Sequence, residues 1–275
     1  MPTIQVNGVE LHYEVQGSGP PLFLVHGSWD DHTVWAQFTE LVADRFRVVA
    51  YDRRSHSRSE RPPGRRTRRQ DEDDLAALIS ALAAEPAYVV ANSFGGLVTL
   101  GLTARRPDLV RAAAIHEPPA LSVVDGGELE RRARAAGALV PEICAQLESG
   151  ALEAGARRFV EEVALGPGAW DLMPDEARAI MVGNGPAFVA EQNDPDCFAL
   201  DVESIRGCGR PLLVTTGDQS PRWLRLLVGR LAEVFPDADT ATIAGVGHIP
   251  HETHPAAYVD ALEEFFFRRP AAVAA

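Results

Sequence analysis

Ser93 stands where a β-favouring run, Tyr88-Val89-Val90-Ala91, gives way to the helical pattern that begins at Leu97. A serine at a sharp strand-to-helix turn holds its hydroxyl exposed above a helix amino end, where negative charge is stabilised. The usual pattern for such a turn is G-x-S-x-G; here Ala91 replaces the first glycine and Gly95 keeps the second. Only a small side chain is needed at that first position, so alanine is a mild departure. A serine hydroxyl is a poor nucleophile at neutral pH until a base takes its proton, and the base needs a carboxylate to hold its tautomer. His248 supplies a base in the glycine-rich stretch Gly245-Val246-Gly247-His248, between the last strand and the last helix. Loops at strand ends are where open α/β sheets place their sites. His251 and His254 are near rivals, set close to Pro255, with capping of the last helix or lining of a pocket as their alternative roles.

The elements that must position these groups are legible from periodicity. Alternation on either side of Asn7-Gly8 reads as a hairpin with a type I′ turn. Residues 21–26 and 47–51 read as buried strands, and 71–84 as an amphipathic helix with Leu75, Leu78, Ile79 and Leu82 on one face. The strand before Ser93 leads into a helix that Pro107 stops near Arg105. Residues 110–116 form the next strand, and Pro118-Pro119 keep a helix from starting at once.

From about residue 120 to 207 strand character disappears. Helical stretches rich in alanine, glutamate and arginine take over, broken by Gly166-Pro167-Gly168, Pro174, Gly185-Pro186 and Pro195. Strands return at 211–216 and 239–243, and a helix over 255–267 closes the chain, with a frayed tail expected at 270–275. Strands alternating with helices predict an α/β fold with a mostly parallel sheet covered on both faces. The expected organisation is a core from 1–119 and 208–275, with a helical cap inserted at 120–207. No internal repeat or low-complexity linker is present.

Taken together, Leu24-Val25-His26-Gly27 followed by Trp35, the stretch Tyr51-Asp52-Arg53-Arg54-Ser55-His56-Ser57-Arg58-Ser59, the Ser93 turn and the Gly247-His248 loop carry a resemblance. Over essentially its full length the chain resembles the α/β-hydrolase superfamily. That resemblance implies Ser93 as nucleophile, His248 as base, and an oxyanion hole made by the backbone amides of Ser28 and Phe94. Ser55 and Ser57 stand where the family has the glycines of a G-H-G turn, which puts the geometry of that loop in question.

The acid departs most from the family pattern, which places aspartate three residues after the glycine ending the strand near 215. Here that glycine is Gly217 and residue 220 is serine, with Asp218 two residues out of register. The family's other location is the end of the strand after the nucleophile helix, where this chain has His116-Glu117-Pro118-Pro119. Some haloalkane dehalogenases and the zearalenone-type lactone hydrolases carry their acid there. Glu117 is therefore the expected acid, with Asp218 and a solvated-loop role for Glu117 as alternatives. Ser93 rather than an aspartate nucleophile points to acyl transfer on an ester, lactone or amide, not to dehalogenase or epoxide chemistry.

Phe159, Val163, Leu165, Trp170, Met173, Met181, Phe188 and Phe198 give the cap apolar surface without charge readers. Such residues serve as cap core or, where they face the site, as the wall for a hydrophobic acyl compound. Trp29 and Phe94 border the expected oxyanion hole, and Trp29 and Trp170 are expected to touch substrate. The expected function is hydrolysis of a small hydrophobic ester or lactone. A small-molecule sensor of the same fold, or lyase or transferase chemistry in secondary metabolism, is the alternative.

Composition bounds the remaining classes. Hydrophobic residues make up 46% of 275 residues, enough for a substantial core. A formal charge of −13 argues against nucleic acid or anionic membrane as a partner. The arginine-rich run 53–69 interleaves no aromatic platform and is followed by Asp71-Glu72-Asp73-Asp74, so it reads as a solvated loop and a neutralised helix start. Cys144, Cys197 and Cys208 are few, odd in number and without metal-ligand spacing, which reads as reduced thiols in a cytoplasmic protein. The amino terminus shows no secretion signal, and no apolar run reaches the ~20 residues that span a membrane. His12, His26 and His32 lack ligand spacing with acids or cysteines, so no metal is expected. No G-x-G-x-x-G phosphate cradle precedes a helix, so no cofactor is expected either. The partner is a small molecule, with a homodimer left open.

Overall fold

One sheet of eight strands organises the chain, in the order β1-β2-β4-β3-β5-β6-β7-β8. The strands are β1 (Thr3–Val6), β2 (Val9–Gln16), β3 (Pro21–Val25), β4 (Arg47–Tyr51), β5 (Ala87–Asn92), β6 (Val110–His116), β7 (Leu212–Gly217) and β8 (Asp239–Ile243). β1 and β2 pair antiparallel, as do β2 and β4, and every other pairing is parallel. The computed structural model describes residues 2–83 and 86–268. The expected fraying of 270–275 and the expected helix end at Ala84 lie outside the described residues. The β1–β2 turn places Asn7 at φ 47° and Gly8 at φ 74°, the left-handed pair that a type I′ turn requires.

Strand alternation explains why both faces of the sheet are apolar. Phe23 and Val25 of β3 enter one core cluster, while Leu22 and Leu24 enter the other. Val49 and Tyr51 of β4 likewise oppose Val48 and Ala50. The second face is covered first by α1 (Ala36–Val42) through Phe38 and Val42, a helix the sequence reading did not foresee. The first face is covered by α2 (Arg68–Leu82) and α3 (Phe94–Arg105), through Leu75, Leu78, Leu97 and Leu100. Each large apolar side chain buried this way contributes about 1.5–3 kcal/mol. A capping box of Thr67 and Gln70 starts α2 three residues before the position expected from hydrophobic spacing.

Between β6 and β7 the described chain is helical: α4 (Gly127–Glu148), α5 (Leu152–Phe159), α6 (Ala169–Leu172), α7 (Asp175–Gln192) and α8 (Val202–Gly207). Pro186 was expected to break a helix, yet α7 runs through it. Proline forfeits one backbone bond there, and its buried neighbours Gly185, Ala187 and Phe188 hold the helix together across it. A separate apolar cluster unites α4 to α7, with Ile143, Leu147, Val160, Trp170, Met181 and Phe188 packed around Trp29 of the core, while α8 packs through Ile205 on the first-face core. The chain then adds α9 (Arg222–Val234) on the first face, the short α10 (Pro250–Thr253), and α11 (Pro255–Arg268) on the second. No described helix is long and apolar enough to cross a membrane.

The arginine run requires a correction. Arg53, Arg54 and Arg66 are buried rather than solvated. Arg53 pairs with Asp71 at 3.2 Å and with Glu191 at 2.6 Å, Arg54 with Asp74 at 2.5 Å, and Arg66 with Asp71 at 2.8 Å. The neighbouring acids do neutralise the run, but in a dry network that also takes in α7. A buried guanidinium persists only where such partners meet it.

Candidate active site

Parallel register brings the chemistry together. Asn92 lies beside His116, and His116 beside Thr215, so Ser93 and Glu117 leave β5 and β6 at the level of Thr216, the penultimate residue of β7. Ile243 of β8 pairs with Gly217, and the loop that follows returns His248 to the same sheet edge. The Asn92 side chain donates to the His248 carbonyl at 2.8 Å and anchors that loop.

Ser93 joins β5 to α3 at φ 51° and ψ −122°. A non-glycine residue in such a conformation costs on the order of 1–3 kcal/mol and persists only where its surroundings hold it. The Ser93 amide donates to the His116 carbonyl at 2.9 Å, which ties the turn to β6. Two glycines make the close passage that follows. A Cβ on Gly95 would lie 2.5 Å from the backbone oxygens of Val25 and His26, and one on Gly96 would lie 2.4 Å from Ile115. The Ser93 hydroxyl makes no hydrogen bond among the described residues and opens on a cavity.

His248 Nδ1 is 2.7 Å from Glu117 Oε2. Glu117 is buried, and its other oxygen accepts from the Thr216 hydroxyl and from the Gly217 amide at 3.1 Å. Burial alone would raise its carboxyl; the hydrogen bond from His248 and the neighbouring His116 outweigh it and hold the group down to about 2. A carboxylate ionised in this way only accepts, so His248 Nδ1 carries the proton of this hydrogen bond, and in the neutral ring the lone pair falls on Nε2. Glu117 itself has φ 48°, a second strained residue within the same constellation.

The residues around this pair are ordered as well. His116 accepts at Nδ1 from the Thr215 hydroxyl at 2.9 Å and donates from Nε2 to the Gly247 carbonyl at 3.2 Å. Burial lowers its pKa to about 4, so it stays neutral and fixes the loop that carries His248. Asp218 turns away from His248: its Oδ1 accepts from the Gly245 amide at 2.8 Å and from Gln219 at 3.0 Å. Ser220, at the family's aspartate position, is buried near Glu117; its hydroxyl lowers that carboxyl's pKa without making a hydrogen bond of good geometry. His251 is buried with its ring stacked on Trp35 at 4.1 Å, and His254 is exposed.

The two residues named for an oxyanion hole, Ser28 and Phe94, line the same cavity. Phe94 is the first residue of α3, so its N–H has no intrahelical acceptor, and the Ser28 amide donates to no described group. Below Ser28 the Arg53 amide donates to His26 Nε2 at 2.9 Å, which leaves Nδ1 to donate to the Gly27 carbonyl at 2.8 Å. His26 is thus a strut of the loop. Ser55 and Ser57 keep the left-handed backbone of the glycines they replace, at φ 67° and φ 38°. The G-H-G turn therefore retains its backbone form.

Ser28, Ser93, Phe94 and His248 line one side of a cavity of about 420 Å³. The helices between β6 and β7 supply most of the remainder, including Val140, Cys144, Phe159, Val163 and Phe188. The expectation that Trp29 and Trp170 touch substrate is corrected, since neither lines the cavity. Trp29 stacks behind the wall, 4.5 Å from Phe188 and 5.0 Å from Phe159. Trp170 is buried in the helical cluster. Large aromatics that complete a small core are drawn into it, because burial of their area outweighs a place at the wall.

Comparison with known proteins bears on the family and the fold. The family model described as Alpha/beta hydrolase family matches residues 22–261, and the chain belongs to that family. It is 38% identical over 132 residues to the uncharacterized hydrolase YraK of Bacillus subtilis (strain 168), a match covering 47% of this chain and 48% of that one. The matched region thus spans about half the length of that relative. It is 25% identical over 268 residues to the 2-(acetamidomethylene)succinate hydrolase of Mesorhizobium japonicum, covering 95% of this chain and 93% of the relative. The crystal structure of the enol-lactonase from Burkholderia xenovorans LB400 superposes with a TM-score of 0.78 at 22% identity, covering 96% and 99% of the two chains. At that identity the likeness shows the fold alone.

Proposed function

We propose that this chain is a serine-dependent hydrolase that cleaves a small hydrophobic ester or lactone through an acyl-enzyme on Ser93. The observation that carries the reading is the Glu117–His248 hydrogen bond beside the strained Ser93 turn, at the wall of one apolar cavity. Ser93 Oγ attacks the substrate carbonyl carbon while His248 Nε2 takes the hydroxyl proton. The carbonyl oxygen becomes an oxyanion facing the amides of Ser28 and Phe94, where loss of one donor costs about 3 kcal/mol. Collapse of the adduct expels the alkoxide, which receives the proton from His248; in a lactone the alcohol stays tethered to the acyl group. A water molecule then loses a proton to His248 and attacks the acyl-enzyme, and the proton returns to Ser93. Glu117 remains ionised and holds the Nδ1 proton throughout.

The cavity also bears on the substrate. Its lining contains no arginine, lysine, aspartate or glutamate. A dicarboxylate such as the one named for the Mesorhizobium relative would find no cation there. An uncharged acyl compound with apolar substituents fits the lining better, and about 420 Å³ lies within the range of small-molecule sites. The test pairs nitrophenyl acetate and a lactone panel with a serine-reactive fluorophosphonate. Turnover with covalent mass gain on Ser93, both lost in Ser93→Ala, is the expected outcome. Absence of both in the unaltered chain sinks the enzyme reading.

A further inference from the structure

His12 and His32, for which the sequence shows no metal-ligand spacing, come together with Glu14 outside the cavity. His12 and Glu14 are two residues apart on β2 and therefore share a face. His32 opens the 3-10 turn His32–Trp35, whose start Asp31 caps. His32 Nε2 is 3.4 Å from Glu14 Oε1, and His12 Nε2 is 3.9 Å from the same oxygen. One ligand atom from each residue lies within 4.8 Å of the others. Tetrahedral zinc, with bonds of about 2.0–2.1 Å, sets its ligands about 3.4 Å apart, so closure requires shifts of about an ångström. Glu14, with a side chain 54% exposed, has the freedom to supply them.

Two further observations make this more than a chance cluster. The buried Asp52 carboxylate lies 2.5 Å from His32 Nδ1 and also accepts the His32 amide at 2.9 Å. A carboxylate behind a histidine in this way aims the opposite nitrogen and raises its basicity, as in carboxylate–histidine–metal units. In addition, a cation already sits at the spot. Arg58 Nη1 is 3.4 Å from His12 Nε2 and 3.9 Å from Glu14 Oε1, on a side chain 45% exposed. Arginine only donates, so the His12 lone pair points at the position of that positive charge.

We propose that His12, Glu14 and His32 form a binding site for a divalent cation of the zinc class, with Arg58 as a tethered cation that swings into solvent when the ion enters. Two imidazoles and one carboxylate suit Zn²⁺, Co²⁺ or Ni²⁺ rather than Ca²⁺ or Mg²⁺. Water completes the coordination from the open side. None of the three ligands lines the cavity, so the ion has no part in the acyl chemistry. Its role is to clamp β2 to the loop that runs from Ser28 to His32.

The test uses the full chain freed of metal by chelator and dialysis, titrated with Co²⁺ while its visible d–d bands are followed, then with Zn²⁺ as competitor. One saturable equivalent is expected, displaced by Zn²⁺, with affinity at least about 10-fold weaker in Glu14→Gln. Arg58→Ala is expected to bind more tightly, because the competing cation is gone. Both substitutions are at exposed side chains, so circular dichroism should stay unchanged. Equal binding in the unaltered chain and Glu14→Gln would assign the ion to another site and overturn the proposal. Failure of the unaltered chain to bind overturns it too, whatever Arg58→Ala does.

Discussion

Glu117 occupies a backbone region that asparagine or glycine would enter more readily, and its contacts explain why it stays there. Its carboxylate meets the His248 ring, the Thr216 hydroxyl and the Gly217 amide at once. Glutamine in its place keeps the shape but presents an uncharged amide to Nδ1. Under the proposed mechanism Glu117→Gln should lower kcat on the order of 10³- to 10⁴-fold in an ester assay. Asp218→Asn should leave kcat within a few-fold, since its carboxylate serves the Gly245 amide. Equal losses in the two variants would show that the hydrogen bond from His248 is not the one that matters. Which acid reaches His248 was a choice between two candidates in the sequence, and strand register decided it. A two-residue offset in a tight turn sends Asp218 toward a backbone amide, whereas the end of β6 abuts the Ser93 turn.

At the scale of elements, the joint between α7 and the core depends on Asn184. This buried side chain accepts from the Ser57 amide at 2.8 Å, and its amide group donates to the carbonyls of Asp30 at 3.0 Å and Trp29 at 3.2 Å. It thereby links the turn at Ser55–Ser57, the loop that follows β3 and the helix that supplies Phe188 to the cavity wall. Asn184→Ala leaves these groups unpaired in a dry setting and should cost about 2 kcal/mol in urea unfolding. Asn184→Asp should be at least as damaging, because a carboxylate cannot donate to two carbonyls. Most elements flanking this joint were legible in the sequence, because their strand and helix periods are local. α1 and the buried arginines were not. A charged run reads as solvated until the acids that surround it in space are known, and Glu191 is 138 residues from Arg53.

For the whole molecule, the balance of buried histidines sets the response to acid. Burial holds His26, His56 and His251 well below the ordinary 6.5 and lowers His116 to about 4. These groups stay neutral in the fold and gain protons on unfolding as pH falls below 6.5. The unfolded state then binds more protons, so stability falls with acidification, by up to about 1.4 kcal/mol per pH unit for each such group. Glu117, held down to about 2 from 4.5, adds to the loss as pH drops through that lower window. His32 acts in the opposite sense: although burial lowers its pKa, the hydrogen bond to Asp52 raises it further, so its contribution is full below 6.5 and fades at higher pH. Burial lowers His12 as well, so one histidine stands against five, while Asp30, raised to about 7 by burial, offsets part of the resulting acid lability. Urea unfolding at about pH 7.5 and about pH 5 should therefore differ by several kcal/mol. A flat profile would mean that these rings are hydrated in solution.

The sequence by itself determined the alternation of strands and helices, the serine at its strand-to-helix turn, and the glycine-rich loop with His248. Side-chain period and turn chemistry act over a few residues, so they are written locally. Tertiary structure alone decided that Glu117 meets His248 across 131 residues, that Trp29 and Trp170 stand behind the cavity wall, and that His12, Glu14 and His32 converge. Those meetings depend on parallel register and on how loops return to one sheet edge. No local pattern encodes them, because hydrophobic period specifies which face of a strand is buried but not which strand lies beside it.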